Sequence, residues 1–578
     1  MHLRKLRSKP VTRVAVTALV CSAALLDASL AAAADSGPKT FSADALPTWQ
    51  TEGIVWSMAA ANGVVYVGGS FEAVRPPGAA PGRKLVARRN FAAFDAVTGK
   101  LLPCAPAFTG HNHTVRAMKA SADGRVLYIG GSFDTVGSEK AANVVALNTA
   151  DCSVRKDFKP TVSSTVRAVE PTDRAIYLGG DFGRVSGETR SRIAALTPKG
   201  ALLPFKAELD QPVRALSAAI SQGRLFVGGD FERVNGQSAR SLVTLNPVTG
   251  ATVLAYPGWF PSQSSVKTIA QDNSRFFVGA EGHGPGIYDG RIAGRTATGI
   301  MVWNDTCRGA TQSVLPYNGV LYSASHAHDC NETPGGFPDR GDRQHFLAQR
   351  VDDRRILHWF PDTNGGLGEQ VGPRVLVASR GYLWAGGEFT EVNEAPQQGL
   401  TRFGDKDTGA PEEPPTLSLS AAEPGKVTLA WRAAWDRDDA VLTYRIYRDG
   451  KLVVTKAKSS AFWDRPKMTW TDSVAAGSRH QYAIEVTDGT NTAARSRALT
   501  VNVPKPAQQT TTAPKQTAEG GAQTGQTAQS GQTAQSGQTA QSGQTAQSGR
   551  TAQAGKSAHA GKATHSARTA HRGKGEAR

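Results

Sequence analysis

One short pattern, in which hydrophobic and aromatic residues lead into Gly-Gly-x-Phe, recurs along the first four hundred residues of the chain. It is clear at residues 65–71 and again where it ends at Phe133, Phe182, Phe231 and Phe389, with two weaker copies at 276–280 and 321–324. Its first glycine falls at Gly68, Gly130, Gly179, Gly228, Gly279, Ala324 and Gly386, which are 62, 49, 49, 51, 45 and 62 residues apart. A period near fifty residues is typical of four-stranded β-propeller blades. We therefore predict an all-β fold with a seven-bladed β-propeller over residues 41–405.

Each repeat is predicted to form four short strands. In the second repeat the innermost strand lies at 114–118, the next two at 126–133 and 144–147, and the outermost around 154–158. The paired glycines allow neighbouring backbones to approach closely, and the Phe that follows them fills the seam between blades. A single blade cannot bury both faces of its sheet, so the repeats must stack into a ring. Because no outermost strand follows residues 400–403, we expect the N-terminal residues 46–49 to complete the last blade.

The repeat, an inner V-R-A strand followed by L-Y-V-G-G-x-F-x-x-V, resembles a family of secreted actinobacterial repeat proteins that are predicted to be β-propellers and often carry an appended fibronectin type III domain. The resemblance covers about residues 45–405, and the fifth and sixth repeats depart from the pattern. It implies the fold and an extracellular address. It implies no particular activity.

A second domain is predicted after the Pro-rich linker that begins at Pro411. Alternating hydrophobicity returns between residues 417 and 503, where a strand tryptophan (Trp431), a Tyr-x-Ile-Tyr strand at 444–447 and a late tyrosine (Tyr482) are typical of a fibronectin type III-like β-sandwich. We assign this domain to residues 411–504. Residues 505–578 contain Ser-Gly-Gln-Thr-Ala-Gln copies and then a basic run, too poor in apolar residues to fold, so a disordered tail is expected.

The N-terminus and the cysteines indicate an exported protein. Residues 1–34 combine a basic start, a short apolar run and a small-residue end, which is the pattern of a cleaved secretory signal peptide. No later segment is apolar enough to span a bilayer. Four cysteines remain after cleavage, and in an oxidising compartment we expect two disulfides. Three pairings are possible, of which proximity along the chain favours Cys104 with Cys152 and Cys307 with Cys330.

The formal charge of +17 is concentrated at the two ends of the chain, so the folded part is only mildly basic. Nucleic acid is therefore expected as a partner only nonspecifically, through the tail. The basic run at 556–578 can neutralise a polyanion such as an acidic cell-wall polymer, or it is only a solvated spacer. We expect a monomer that is secreted, either extracellular or loosely associated with the cell wall.

Long insertions indicate where the propeller binds. The connection between the second and third strands is longer in repeats one, five and six than in the others, and all such connections lie on one face of the disc. The polar residues in these insertions are the candidate binding residues. They are Arg83 in the first repeat, His283, Tyr288 and Asp289 in the fifth, and His326, His328, Asp339, Asp342 and His345 in the sixth.

Two smaller patterns each have two interpretations. His326 and His328 alternate on an extended segment, so they form half of a metal site if Asp339, Asp342 or His345 supplies a third ligand. The simpler interpretation is that they are polar loop residues beside a disulfide. We therefore expect neither a metal nor another cofactor. Basic residues recur on the inner strands, with Trp56 and Gln312 at the remaining equivalent positions. These basic residues are Arg116, Arg167, Arg214, Lys267 and Arg374. They form an anion-binding ring, or they pair with Asp181, Asp230 and Glu388 to stabilise the blades.

These observations favour an extracellular binding or scaffold protein whose propeller mouth engages a glycan or a cell-envelope component. The alternative is a carbohydrate-active enzyme, a glycoside hydrolase that degrades polysaccharide with the second domain as a spacer. The sequence contains no Gly-x-Ser-x-Gly elbow and no phosphate-binding loop, and it identifies no catalytic residue. Two carboxylates roughly 5–10 Å apart in a pocket would favour the glycosidase.

Overall fold

The computed structural model describes residues 37–283, 286–305 and 307–508 of the chain. The predicted signal peptide and nearly all of the predicted tail lie outside these residues. The one helical element in the described ranges is the 3-10 turn Ile220–Gln222, and the remaining regular structure is β-strand, which confirms the predicted all-β class. None of the helical structure within these ranges has the length and apolar character that crossing a bilayer requires.

The strands between residues 50 and 403 occur in successive groups that follow the sequence repeats. The first two groups are β1 (Gln50–Ala61), β2 (Val64–Arg75), β3 (Val86–Ala87) and β4 (Phe91–Asp95), then β5 (Phe108–Thr109), β6 (Thr114–Ala120), β7 (Val126–Ser132), β8 (Thr135–Val136), β9 (Glu139–Lys140) and β10 (Val144–Asn148). The next two are β11 (Val166–Pro171), β12 (Ile176–Gly180), β13 (Arg184–Val185), β14 (Glu188–Thr189) and β15 (Ile193–Leu196), then β16 (Val213–Ala219), β17 (Arg224–Gly229), β18 (Arg233–Val234), β19 (Gln237–Ser238), β20 (Leu242–Leu245) and β21 (Thr252–Ala255). The rest are β22 (Ser264–Gln271), β23 (Arg275–Gly282), β24 (Gly290–Arg295) and β25 (Met301–Asp305), then β26 (Thr311–Tyr317), β27 (Val320–Ala327) and β28 (Gln344–Arg350), then β29 (Pro373–Ser379), β30 (Tyr382–Gly387), β31 (Glu391–Val392), β32 (Ala395–Pro396) and β33 (Leu400–Phe403).

The long strands of each group form an antiparallel ladder whose first strand faces the neighbouring groups. These first strands, which we call the inner strands, are β1, β6, β11, β16, β22, β26 and β29. Each inner strand lies beside the next one in this series, and β29 lies beside β1. The core consists of apolar clusters in the seams between successive groups, for example around the fully buried Phe133.

The paired glycines allow the close approach that the sequence predicts. A Cβ atom on Gly130 would lie 2.4 Å from Cγ1 of Val166, which belongs to the inner strand of the next group. The second glycine, Gly131, is equally restricted, since its Cβ would lie 2.1 Å from the carbonyl oxygen of Thr114. Any larger residue at either position would force the two backbones apart.

The outermost strands are shorter than the sequence predicts. Only β21 and β25 extend a ladder to a fourth long strand in the described residues, whereas the equivalent segments elsewhere form single bridges, such as Phe94 with Leu101 and Leu196 with Leu202. Proline follows closely in both cases, at Pro103 and Pro204, and proline cannot donate a ladder hydrogen bond. The predicted strand near residue 154 is likewise one bridge between Leu147 and Val154.

The N-terminal segment pairs with the last group, as predicted, although a few residues earlier than expected. Ala45 forms an antiparallel bridge with Phe403, and the N–H of Leu46 donates to the carbonyl oxygen of Arg402 at 2.9 Å. Phe41 and Ala43 are buried in the same apolar cluster as Phe403. The beginning and the end of the repeat region are therefore held together by backbone hydrogen bonds.

Residues 417–503 form two facing sheets. Their strands are β34 (Ser418–Glu423), β35 (Lys426–Arg432), β36 (Val441–Arg448), β37 (Lys451–Ser459), β38 (Lys467–Ser473), β39 (Arg479–Thr487) and β40 (Leu499–Asn502). One sheet has the order β34-β35-β38 and the other β37-β36-β39-β40. Trp431, Tyr444 and Tyr482 are buried between them, and the Tyr482 hydroxyl donates to Asp472 Oδ2 at 2.8 Å.

This two-sheet unit packs directly against the repeat region. Phe462 and Trp463 contact Phe337 and Phe360 with ring centroids 5.0 to 5.7 Å apart. The same apolar cluster contains the disulfide Cys307–Cys330. The second disulfide joins Cys104 and Cys152, so both predicted pairings are confirmed.

Candidate functional site

The inner strands share an irregularity that aims one side chain of each toward a common space. Every inner strand has a register shift at the same position, so that one residue has no partner across the ladder. The unpaired residues are Trp56, Arg116, Arg167, Arg214, Lys267, Gln312 and Arg374. All of them line one cavity of about 840 Å³, which we call the central cavity.

The local sequence explains this irregularity. In β6, Val115 pairs with Gly131 and Ala117 pairs with Gly130, while Arg116 between them is left over. Val115 is fully buried against the preceding group, where its Cγ1 lies 2.4 Å from the Cβ position of Gly68. A β-bulge of this kind turns the extra residue away from the ladder. The repeated V-x-A triplet therefore encodes both the seam contact and the side chain that faces the cavity.

Four of the basic side chains in the central cavity are neutralised by the residue that follows the glycine pair, or the equivalent Gly-Ala. These ion pairs are Arg167–Asp181 at 2.7 Å, Arg214–Asp230 at 2.6 Å, Lys267–Glu281 at 3.1 Å and Arg374–Glu388 at 3.1 Å. Burial alone would raise the pKa of Asp230, but the hydrogen bond and charge of Arg214 outweigh it and hold that pKa below its usual value. The pairing that the sequence offered as one interpretation is observed at these positions.

Arg116 departs from this arrangement. The residue that follows its glycine pair is Ser132, and no carboxylate of the described residues forms an ion pair with Arg116. Its guanidinium lies over Trp56, 3.8 Å from the ring centroid, and Arg374 lies 4.1 Å from the same centroid. Burial, together with the charges of Arg167 and Arg374, lowers the pKa of Arg116 to about 10, so it remains a cation at neutral pH.

Two of the predicted binding residues, His283 and His326, line the central cavity. His283 is exposed, and its Nε2 lies 3.4 Å from Glu281 Oε1. His326 occupies the position that Asp181 has in the third repeat, and its Nδ1 is buried without a hydrogen-bond partner. Burial and the charge of Arg343 lower the pKa of His326 to about 4, so the ring is neutral at physiological pH.

Three of the predicted binding residues form hydrogen bonds with other groups of the protein. Tyr288 is buried, and its hydroxyl lies 2.8 Å from the carbonyl oxygen of Arg291. Asp289 accepts a hydrogen bond from the N–H of Gly282, and burial raises its pKa. His345 is also buried, with Nδ1 3.1 Å from Asp362 Oδ1.

The remaining predicted residues lie elsewhere on the surface. His328 Nδ1 is 3.8 Å from Asp339 Oδ2, and neither side chain lines the central cavity. Arg83 is exposed in the turn that its N–H closes on Ala80. Asp342 lines a second cavity of about 430 Å³ between the repeat region and the two-sheet unit. Of the predicted binding residues, His283 and His326 therefore line the central cavity, and the others do not.

Sequence reasoning missed residues at both cavities. Glu281 and Glu369 line the central cavity, and Trp435 and Arg437 line the second one. Glu281 had a usable signal, because it follows Gly-Ala at the place where Asp181 follows Gly-Gly. Trp435 and Arg437 had none, since they belong to a different domain from the loop that they face.

Among the residues that the structure describes, no group of three possible metal ligands includes His326 or His328. Within the described ranges, the one group of three possible ligands that converge is Asp407, Asp438 and Asp439, whose ligand atoms lie within 4.8 Å of one another. Burial and the charge of Asp438 raise the pKa values of Asp407 and Asp439 to about 6. This cluster lies where the chain leaves the repeat region and meets the two-sheet unit.

The chain was compared with known families, curated proteins and solved structures. A family model described as a domain of unknown function (DUF5122) beta-propeller matches residues 221–251, which contain the Gly-Gly pair of the fourth repeat. No curated protein matches the chain. Among solved structures, a chain of the mitotic checkpoint complex is 14% identical over 64% of this chain and 98% of its own, with a TM-score of 0.41. Sqt1 of Saccharomyces cerevisiae is 12% identical over 64% of this chain and 100% of its own, with a TM-score of 0.37. Likenesses this weak carry no conclusion about this chain. The family match supports a β-propeller domain in the repeat region.

Proposed function

We propose that this chain is a secreted binding or scaffold protein whose propeller mouth, the central cavity, engages a glycan or another component of the cell envelope. In this proposal residues 41–405 are a seven-bladed propeller, residues 411–504 a fibronectin type III-like domain and residues 505–578 a disordered basic tail. The protein acts as a monomer. Residues 1–34 direct its export.

The proposed architecture has specific support. The series of inner strands contains one strand for each sequence repeat and returns to its start. A sandwich with three strands facing four, a buried strand tryptophan and a late buried tyrosine is the arrangement expected of fibronectin type III domains. The family that the sequence resembles often carries an appended fibronectin type III domain.

An extracellular address is supported by the cysteines. All four cysteines after residue 34 are paired in disulfides, which persist in oxidising compartments. One of these disulfides lies directly beneath the contact between the two domains. The second domain therefore packs against the elaborated loop of the sixth repeat and stabilises it, whereas a spacer would only separate the propeller from other groups.

The observation that carries the binding proposal is the composition of the central cavity. Its wall mixes cations, carboxylates, an amide, imidazoles and one indole ring. The bulged residues, Glu281 and His326 are held by strands, while His283, Arg343 and Glu369 lie in loops. A hydroxylated ligand needs donors and acceptors of both kinds on a rigid frame, and a glycan fits this description. Asp342 lines the second cavity, and its neighbour Arg343 lines both cavities. The elaborated loop of the sixth repeat therefore borders both of them.

The carboxylates in the cavity favour binding over hydrolysis. A glycosidase needs one carboxyl that is protonated at working pH. The two carboxylates that line the central cavity are Glu281 and Glu369. Burial would raise both pKa values, but Lys267 at Glu281 and Arg374 at Glu369 outweigh it and lower them. Both side chains are therefore ionised, which disfavours the glycoside hydrolase alternative.

A retention experiment tests the proposal. The mature protein, a double variant His283→Ala/Arg343→Ala and a control variant Arg125→Gln are applied to a glycan array and to purified cell walls. His283 and Arg343 are exposed in the cavity, so their removal leaves the core intact, while Arg125 is exposed in a hairpin that does not line the cavity. We expect the double variant to bind at least tenfold more weakly and the control to bind normally.

A second comparison isolates the tail. The full-length protein and a version that ends at Pro504 are compared at low and high salt, because binding by a basic tail depends steeply on salt. Retention that survives truncation and salt supports the cavity as the binding site. Equal binding by the double variant and the unchanged protein, or no binding to any glycan or wall polymer, would overturn the proposal.

A further inference from the structure

The cavity residues form a repeated charge arrangement with one gap. In repeats three, four, five and seven the bulged cation faces a carboxylate on the next strand. Repeats one and six have no cation at the bulge, since Trp56 and Gln312 stand there. In the second repeat alone the cation, Arg116, is present and the carboxylate is replaced by Ser132.

Among the described residues, no carboxylate forms an ion pair with Arg116, and Glu369 and Asp181 act on its charge only from a distance. Asp181 is engaged by both Nε and Nη2 of Arg167, at 2.7 and 2.8 Å. Glu369 accepts a hydrogen bond from Arg374 at 2.8 Å. The inner strands of Arg116 and Arg374 flank that of Trp56, so two guanidiniums lie over one indole. Arg116 is thus a partly buried cation that stacks on an aromatic ring and has no ion-pair partner among the described residues.

We propose that Arg116 and Ser132 form a subsite for one oxyanion, a carboxylate or phosphate group on the ligand of the central cavity. The ligand supplies the negative charge that Asp181, Asp230, Glu281 and Glu388 supply within the other repeats. This inference deepens the proposed function and rests on it for the identity of the larger ligand. It assigns that ligand to the anionic polymers of the cell envelope.

The chemistry of the two side chains suits this role. A guanidinium that stacks on an indole face keeps its N–H groups free at its edge, where they bind a carboxylate or phosphate through two parallel hydrogen bonds. Ser132 occupies the position that Asp181 has in the third repeat, so in the proposed subsite its hydroxyl supplies a further donor to the anion. Because the cavity is partly shielded from water, such a pair is stronger than an exposed one. In the proposed subsite, Arg116 binds the anion of the ligand in the same way that Arg167 binds the Asp181 carboxylate.

The decisive variant is Ser132→Asp, which restores the arrangement of the neighbouring repeats. Its carboxylate is expected to pair with Arg116 and to exclude an external anion while the fold remains intact, as an unchanged or raised melting temperature would show. Arg116→Gln removes the cation itself. Ser132→Ala is the matched control, since losing one neutral hydrogen bond costs only severalfold in affinity.

Binding is measured by calorimetry with three probes: an oligogalacturonate, a glycerol phosphate oligomer and an uncharged galactose oligomer. We expect the unchanged protein to bind an anionic probe. The affinity of Ser132→Asp and of Arg116→Gln for that probe should be at least tenfold lower. Preference for the galacturonate identifies a carboxylate ligand, and preference for the glycerol phosphate identifies a phosphate ligand. Either preference supports the subsite.

Two outcomes would overturn the subsite: equal binding of the anionic probes by Ser132→Asp and the unchanged protein, or no binding of either anionic probe. If the protein binds only the neutral oligomer, the subsite is wrong while the proposed glycan-binding function stands. If the anionic probes bind through Arg116 but no envelope polymer is retained, the subsite stands and the proposed function fails.

Discussion

Gly386, in the last repeat, lies against Val55 of the first inner strand, so closely that a Cβ atom on the glycine would be 2.5 Å from Val55 Cγ1. The contact between Gly228 and Val266 of consecutive repeats has the same form, with a distance of 2.3 Å. The junction between the end and the beginning of the repeat region is therefore built like the junctions inside it. The N-terminal bridge to Phe403 adds hydrogen bonds to this packing.

Substituting this glycine tests whether the closing junction is as tight as the others. Gly386→Ala inserts a methyl group into a filled seam and is expected to lower the free energy of unfolding by about 1–3 kcal/mol, as overpacking typically does. Gly228→Ala should cost a similar amount. Gly183→Ala is the control, because a Cβ there meets nothing within 4 Å. Chemical denaturation measures all three variants, and a Gly386→Ala protein as stable as the control would show that the closing seam is loose.

The aromatic contact between the repeat region and the two-sheet unit predicts that the two unfold together. Phe462 contacts both Phe337 and Phe360 with its ring, and its carbonyl oxygen accepts a hydrogen bond from Arg340 at 2.9 Å. Phe462→Ala removes this anchor and should cost about 1–3 kcal/mol of apolar burial. Differential scanning calorimetry is expected to change from one transition to two.

The control for this experiment is Leu452→Ala in the same domain, since Leu452 is 52% exposed and buries little apolar surface. It should leave the calorimetric profile unchanged. If the unchanged protein already shows two separate transitions, the aromatic contact does not couple the domains.

The two disulfides predict that the protein without residues 1–34 contains no free thiol. Titration of denatured, unreduced protein should find no reactive thiol among Cys104, Cys152, Cys307 and Cys330. Replacing Cys307 and Cys330 together by Ser opens a loop of 23 residues and should cost roughly 3 kcal/mol by the chain-entropy estimate. Because this disulfide lies in the cluster with Phe462, the double variant should also weaken the contact between the domains, which calorimetry would detect. Two or more reactive thiols in the unchanged protein would contradict the pairing.

The repeat made most of the fold predictable because one pattern encodes several contacts at once. The spacing of Gly-Gly located the second strand of each group, and the residue after it located the partner of the bulged cation. The outermost strands were overestimated, since alternation of apolar residues there does not reveal that Pro103 and Pro204 interrupt the ladder. The N-terminal pairing was predicted from a missing strand, and only its register was displaced.

The candidate site was less predictable because it is assembled from residues of every repeat. His283 and His326 were identified from the insertions, whereas Tyr288 sits in a similar insertion and is buried. Periodicity gives no sign of which insertion residues turn inward, since that depends on how the loop packs. The second cavity was invisible for a stronger reason: Trp435 and Phe337 are about one hundred residues apart and meet only because the two domains pack together.

The acidic cluster predicts how stability depends on pH. Asp407 and Asp439 have pKa values of about 6 in the folded protein, raised from 3.8 by burial and by the charge of Asp438. A raised carboxyl pKa means that the folded state holds the proton more tightly than the unfolded chain, so these groups destabilise the protein above pH 6 and do so less as the pH falls from 6 toward 4.

Asp438→Asn removes the negative charge that raises the pKa values of both Asp407 and Asp439. The Asn side-chain oxygen can still accept the hydrogen bond that Asp438 receives from the N–H of Ala43 at 2.7 Å. We expect the variant to melt at a higher temperature than the unchanged protein at pH 7.5, and this advantage to shrink at pH 5, where the neighbouring carboxyls are protonated in the fold. Asp464→Asn, at an exposed position outside the cluster, should show the same small difference at both pH values. Thermal melts of the three proteins decide the matter, and an Asp438→Asn advantage that does not change with pH would mean that repulsion among these carboxylates does not limit stability.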